Sequence, residues 1–90
     1  PSGDGPPGAV TDALTLRFSG ECWTEIRDAT DRNVFFDLGR PGEVAEVSGV
    51  PPFRVLLGNA PAVELAYNGD PVALSAFTRR DNTANLVIGQ

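Results

Sequence analysis

From Ala13 onward, apolar and polar side chains alternate in short runs, and turn-forming residues separate the runs at roughly 8–12-residue spacing. Leu14, Leu16 and Phe18 alternate with Thr15, Arg17 and Ser19, which predicts a half-buried strand with one dry face. After Gly20, Cys22, Thr24 and Ile26 fall on one face of a second strand, while Trp23, Glu25 and Arg27 fall on the other. Asp28-Ala29-Thr30-Asp31-Arg32-Asn33 favours a turn through local side-chain hydrogen bonds, so this strand and Val34 to Leu38 form a predicted hairpin.

Gly39-Arg40-Pro41-Gly42 reverses the chain into a strand over Glu43 to Val47. Ser48-Gly49-Val50-Pro51-Pro52 leads to another over Phe53 to Leu57. Pro51 and Pro52 have no N–H for a ladder and so lie outside a central strand. Gly58-Asn59-Ala60-Pro61 precedes a strand with Val63, Leu65 and Tyr67 on one face, and Asn68-Gly69 then gives a strong hairpin signal before a return strand at Val72. Leu74 to Phe77 has no β-branched residue and room for no more than one 3₁₀ turn. Thr83 to Ile88 supplies the last strand. The fold expected is all-β, a small antiparallel β-sandwich of about seven short strands, Ig-like in architecture, because parallel strands need crossover helices that this pattern lacks. A small closed barrel is the alternative.

Ninety residues bound the answer to one domain burying about 60–65% of its unfolded surface, too little for a deep cavity at no cost to the core. Residues 1–12 are rich in Pro and Gly and poor in apolar side chains, so they are read as a flexible linker reaching from an upstream neighbour, and 13–90 as the β-sandwich domain. The net charge of −5 opposes capture of nucleic acid or anionic lipid by this domain. One cysteine is silent on redox compartment. No apolar run approaches the roughly 20 residues of a membrane helix.

Little in the chain suggests reaction chemistry, and no catalytic or cofactor-binding residue is assigned. Cys22 is the sole thiol and, with no histidine present, lacks the usual base, so it reads as a small buried hydrophobe. One Cys and no His leave zinc short of ligands. Glu21 and Glu25 sit about 13 Å apart on one strand face, against the roughly 5–10 Å of a glycosidase pair. Asp28, Asp31 and Asp37 lack the alternating ligands, Gly and closing Glu of a calcium loop and read as turn residues. Tyr67 and Phe77 are assigned to the core.

Three residues remain as candidate partner-binding groups: Trp23, Arg79 and Arg80. Strand phase sets Trp23 opposite Cys22 and Ile26, where it either roofs a secondary hydrophobic cluster or anchors a partner. Arg79-Arg80 is either solvated loop charge or a docking contact for an acidic or carbohydrate partner.

The order of motifs is more specific than any one of them. Leu16-Arg17-Phe18, Cys22-Trp23 with Glu25 and Asp28, Gly49 before Pro52-Phe53, Gly58 with Ala60, Val63, Tyr67, Gly69, Pro71-Val72 and Leu74, and an Arg before the last strand follow one pattern. In this order they resemble the C-terminal periplasmic domain of the RodZ family of bacterial cell-shape proteins, over nearly all of Leu14 to Ile88. Two positions depart from that pattern: Asn33 stands where a turn Gly is common, and Ala73 replaces a frequent acidic residue.

The resemblance implies a bitopic inner-membrane protein with this module on the periplasmic face. A cytoplasmic helix-turn-helix region, absent from this sequence, would bind the actin-like MreB cytoskeleton, and the whole would help couple it to peptidoglycan elongation. No enzyme activity and no cofactor are expected. Partners expected for the module are periplasmic cell-wall elongation proteins or glycan. Two alternatives stay open, a structural spacer with no ligand of its own and a generic secreted carbohydrate- or protein-binding module.

Overall fold

The computed structural model describes residues 11–89. Two four-stranded antiparallel sheets enclose one hydrophobic layer. In chain order the strands are β1 (Asp12–Phe18), β2 (Cys22–Arg27), β3 (Asn33–Gly39), β4 (Val44–Gly49), β5 (Phe53–Leu57), β6 (Val63–Tyr67), β7 (Asp70–Val72) and β8 (Ala84–Ile88). The first sheet runs β4-β1-β6-β7 and the second β3-β2-β5-β8. β1 begins one residue inside the segment read as linker, and the linker residues 1–10 lie outside the described residues.

Alternation dictates which side chains meet. Leu14, Leu16 and Phe18 of β1 face Cys22, Thr24 and Ile26 of β2, with Phe53, Val55 and Leu57 from β5 and Ala84, Leu86 and Ile88 from β8 completing the interior. Thr24 is a polar side chain within this layer, and its hydroxyl donates to the Cys22 carbonyl at 3.2 Å. At about 25 cal/mol per Å² of apolar surface removed from water, this interlayer drives the fold. The close approach of the two sheets also needs Gly39, because a Cβ there would lie 2.2 Å from the Phe18 ring.

The Asn68-Gly69 hairpin forms as expected, with both residues at positive φ (50° and 88°), the primed-turn geometry that matches strand twist. The Asp28 turn joins β2 to β3 with Asp31 at φ 65°, so the left-handed position falls there and not on Asn33, which pairs with Arg27 beyond a register shift.

Several expectations are corrected. Among the described residues there are eight strands beside the expected about seven, and the return strand expected at Val72 forms as a three-residue edge strand. Two 3₁₀ turns replace at most one: beside Leu74–Ala76, the Ala60–Ala62 segment coils, Pro61 having the φ of a helical first turn and no N–H to lose. Ala73 sits at the cap of the Leu74–Ala76 turn and gives no side-chain cap bond, the service an acidic residue there would render. Phe77 is not core, since that turn carries its ring outward and leaves it 45% exposed. Tyr67 is only half-buried: its ring packs edge-on against Phe53 at 6.5 Å, and its hydroxyl donates to Asp12.

Candidate functional site

Because β2 and β5 are the inner strands of the second sheet, their outward side chains form the middle of its solvent face. The register sets Glu25 between Phe36 of β3 and Leu56 of β5, Leu56 against Asn85 of β8, and Arg54 against Val87. Residues directly opposite in antiparallel strands point to the same side, so Trp23, Phe36, Leu56 and Val87 share one face. The described residues include six large hydrophobic side chains that are notably exposed, and these are four of them; Val44 and Phe77 lie elsewhere. Of the four, Trp23 and Phe36 are in ring contact, while Glu25 lies between Phe36 and Leu56 and Arg54 stands beside Val87, so the face mixes aromatic and aliphatic groups with charge.

Trp23 is 40% exposed and held from two directions. Its indole stands edge-on to the Phe36 ring at 5.2 Å and 83°, and its Nε1–H donates to Glu25 Oε2 at 2.7 Å. The main chain beneath is fixed as well, since Gly58 N–H donates to the Trp23 carbonyl at 2.8 Å. The two readings of Trp23 from sequence therefore merge: it belongs to a small outer cluster, and that cluster is open to solvent.

Charge divides the two outer faces. The second sheet carries Arg27 and Arg54 against Glu25, two positive groups and one negative, within a chain whose net charge is −5. Arg27 and Arg54 oppose each other directly, a like-charge pairing that costs stability in a sheet. Arg27 is offset by Asp31 at 3.4 Å, an exposed pair of small energetic worth. On the first sheet, Arg17 stands against Val44 and Glu64, and Thr15 against Glu46, so that face carries one positive group and two negative. A groove of about 670 Å³ lies over that sheet, lined by Thr15, Arg17, Glu64, Ala66, Pro71, Ser75 and Thr78 among others. It gathers no pair of acids and no nucleophile with a base.

Arg79 and Arg80 lie in the turn before β8. Arg79 N–H donates to the Thr83 carbonyl and Asn82 N–H to the Arg79 carbonyl, and Asn82 takes φ 70°. The Thr83 hydroxyl donates to Asp81 at 2.7 Å and, with the Thr83 N–H, holds that carboxyl below its ordinary value. The register Thr24↔Leu57↔Ala84 places this turn at the Trp23 end of the sheet, two strands away. The structure thus puts the three sequence-derived candidates at one end, Trp23 on the face and the two exposed arginines at its margin.

Of the acids weighed for calcium, Asp28 and Asp31 are engaged in the β2–β3 turn, whereas Asp37, read from sequence as a turn residue, lies within β3 opposite Thr24. Asp28, buried, accepts through Oδ1 from the Thr30 N–H (3.0 Å), the Thr30 hydroxyl (2.6 Å) and the Arg32 N–H (3.3 Å), and through Oδ2 from the Val50 N–H (3.2 Å) and the Arg32 guanidinium (3.5 Å). Burial pushes this carboxyl up, but the Thr30 hydroxyl and the N–H groups of Val50, Arg32 and Thr30 outweigh it and hold it below 3.8. Asp37 accepts from the Leu38 N–H. Among the described residues, no cluster of three or more His, Cys, Asp or Glu is placed to hold a metal, and no helix is long and apolar enough to cross a membrane. Cys22 Sγ is buried and accepts from the Asn59 N–H at 3.2 Å, which makes it part of the core, not an open thiol.

Phe36, Leu56 and Val87 were not singled out from sequence. Phe35-Phe36 and Leu56-Leu57 each set two apolar residues side by side, so alternation alone does not say which one faces out. Only the pairing with Glu25 and Arg54 decides it.

No solved structure matches the chain. A family model described as the RodZ C-terminal domain matches residues 15–87, a span that runs from β1 into β8 and takes in both sheets and the Trp23 face. The chain belongs to the RodZ C-terminal domain family, and is therefore a domain of a RodZ-like cell-shape protein.

Proposed function

We propose that this domain is a non-enzymatic docking module on the periplasmic side of the bacterial inner membrane, binding a partner of the cell-wall elongation machinery through the outer face of β3-β2-β5-β8. In the whole protein, a cytoplasmic region that engages MreB would be tied through this contact to peptidoglycan synthesis. The grouping of Trp23, Phe36, Leu56 and Val87 on one sheet face carries the reading. Trp and Arg are the residue types that dominate interface energies, and both occur here, with Arg27 and Arg54 on the face and Arg79 and Arg80 at its margin. Arg54 on the face and Arg79 and Arg80 at its margin favour a partner surface that offers carboxylates around an apolar patch.

The test is Trp23→Ala and the double change Arg79→Ala/Arg80→Ala in the full-length cell-shape protein, scored by rescue of rod shape in cells lacking it. Urea unfolding of the isolated variants runs alongside. Docking predicts loss of rescue for Trp23→Ala in a domain that stays folded, the lost ring contact with Phe36 and exposed bond to Glu25 costing about 1–2 kcal/mol. A spacer with no ligand predicts that variants which remain folded rescue fully, and that outcome would reject the docking reading.

A further inference from the structure

The sandwich has four sheet edges, formed by β4, β7, β3 and β8. Exposed edges invite pairing with another chain, and proteins blunt them with charge, proline or short length. Three of these edges are blunted. β4 carries Glu46 at its middle, β7 is three residues long with Asp70 and Pro71, and β3 carries Asp37 and, near Asn33, a register shift. β8 reads Ala84-Asn85-Leu86-Val87-Ile88, with no charge, no proline and no glycine.

We infer that two copies of this chain pair edge to edge through β8, antiparallel about a two-fold axis at Val87, joining their second sheets into one continuous sheet. Charge selects the strand and the occupant. In a chain of net charge −5, self-pairing must avoid opposing carboxylates. On β4, β3 and β7 a two-fold axis at Glu46, Asp37 or Asp70 opposes a carboxylate to its own copy, and an axis one residue away leaves the two copies as diagonal neighbours. β8 meets itself without like charges in any register.

The register follows from geometry. Directly opposed residues point to the same side, so a two-fold axis between antiparallel strands must pass through a residue pair of one type. Thr78 already bridges Ala84, which leaves the edge open from Asn85 onward. An axis at Leu86 would need Ala84 opposite Ile88 and so collides with Thr78. An axis at Val87 sets Leu86 opposite Ile88 and Val87 opposite itself on the outer face, where it is 44% exposed. Both Trp23 faces then lie on the same side of the joined sheet, presenting two docking faces to one partner array. The inference does not depend on docking by the Trp23 face.

An edge this short falls below the roughly 1,000 Å² of a stable interface, so the pairing is weak and concentration-dependent. The test uses the 90-residue chain. With the axis at Val87, Val87→Cys sets two Cβ atoms about 4.5–5.5 Å apart, close to disulfide reach. It should oxidise to a covalent dimer at least about tenfold faster than Ser48→Cys, an exposed thiol on the β4 edge. Wild type has only the buried Cys22 and should stay uncrosslinked. In sedimentation equilibrium, wild-type mass should rise toward the dimer by about 1 mM, and Val87→Lys, at an exposed site checked for folding by circular dichroism, should remain monomeric. Equal oxidation rates for the two cysteine variants, a wild type monomeric at about 1 mM, or association that survives Val87→Lys would each overturn the inference.

Discussion

Replacing Asp28 by Asn keeps shape and volume but turns one acceptor oxygen into a donor amide, at a carboxylate that ties two turns from different parts of the chain. Oδ1 gathers the Thr30 and Arg32 N–H groups and the Thr30 hydroxyl, while Oδ2 takes the Val50 N–H from the β4–β5 connection. An asparagine satisfies one side only. With its oxygen toward Thr30, its NH₂ faces the Val50 N–H and the Arg32 guanidinium, so a part-buried donor loses its partner at about 1–3 kcal/mol and a charge-assisted bond is lost with it. The combined cost is about 2–4 kcal/mol, a large share of the roughly 5–10 kcal/mol that holds a domain of this size together. The pH dependence provides a second, independent reading. Because the folded-state carboxyl is held below 3.8, its contribution to stability is full above the unfolded value and is lost as pH falls from there through the lowered folded value. Urea unfolding at neutral pH should show the loss in Asp28→Asn, and a series from pH 6 down to pH 2 should show a flatter acid limb for the variant than for wild type. Equal stability at neutral pH, or an identical acid limb, would refute the claim that the ionised carboxylate is what joins the turns.

Gly39→Ala forces a methyl to within 2.2 Å of the Phe18 ring in a core with no slack, so urea midpoints should fall by an amount equivalent to about 1–3 kcal/mol or more; a midpoint unchanged from wild type would show that the sheets can part without cost. Tyr67 donates to Asp12, which pushes its phenol above 10.0, so ultraviolet titration of the sole tyrosine should give a midpoint above that value and Asp12→Asn should bring it down. A midpoint that ignores Asp12→Asn would remove the contact from the account.

Where the sequence alternates strictly, its reading and the structure coincide. β1 and β2 bury every second residue along a single phase, and the Asn68-Gly69 turn has the backbone that its residue types demand. Periodicity says which side of a strand is dry, but not which strand lies beside it. β3 and β4 are consecutive yet belong to different sheets, and β1 finds its neighbours β4 and β6 far along the chain. Those choices are made by contacts between the layers, such as Phe18 lying over Gly39, which a single strand does not encode. The same limit explains Phe77: an apolar residue in a one-turn coil has no period to fix its direction.

The proposed docking face was half legible for a related reason. Trp23 stands alone against Cys22, Thr24 and Ile26, so its outward direction follows from phase, whereas Phe36 and Leu56 are ambiguous until Glu25 is found between them. What pairing adds is preorganisation. The indole sits on a central strand whose main chain is hydrogen-bonded to Gly58, and Phe36 and Glu25 already fix its orientation. A partner that closes over it orders little that was free before, and the entropy that commonly erodes binding by exposed aromatic side chains is lost during folding instead. The first sheet offers no such anchor, since its outer face is built from Thr15, Ala66 and Pro71 among acidic neighbours. A rigid aromatic pair flanked by arginines on one side, and a groove of small and aliphatic residues beside Glu46 and Glu64 on the other, give the domain a front and a back, and it is the front that the Trp23 variants interrogate.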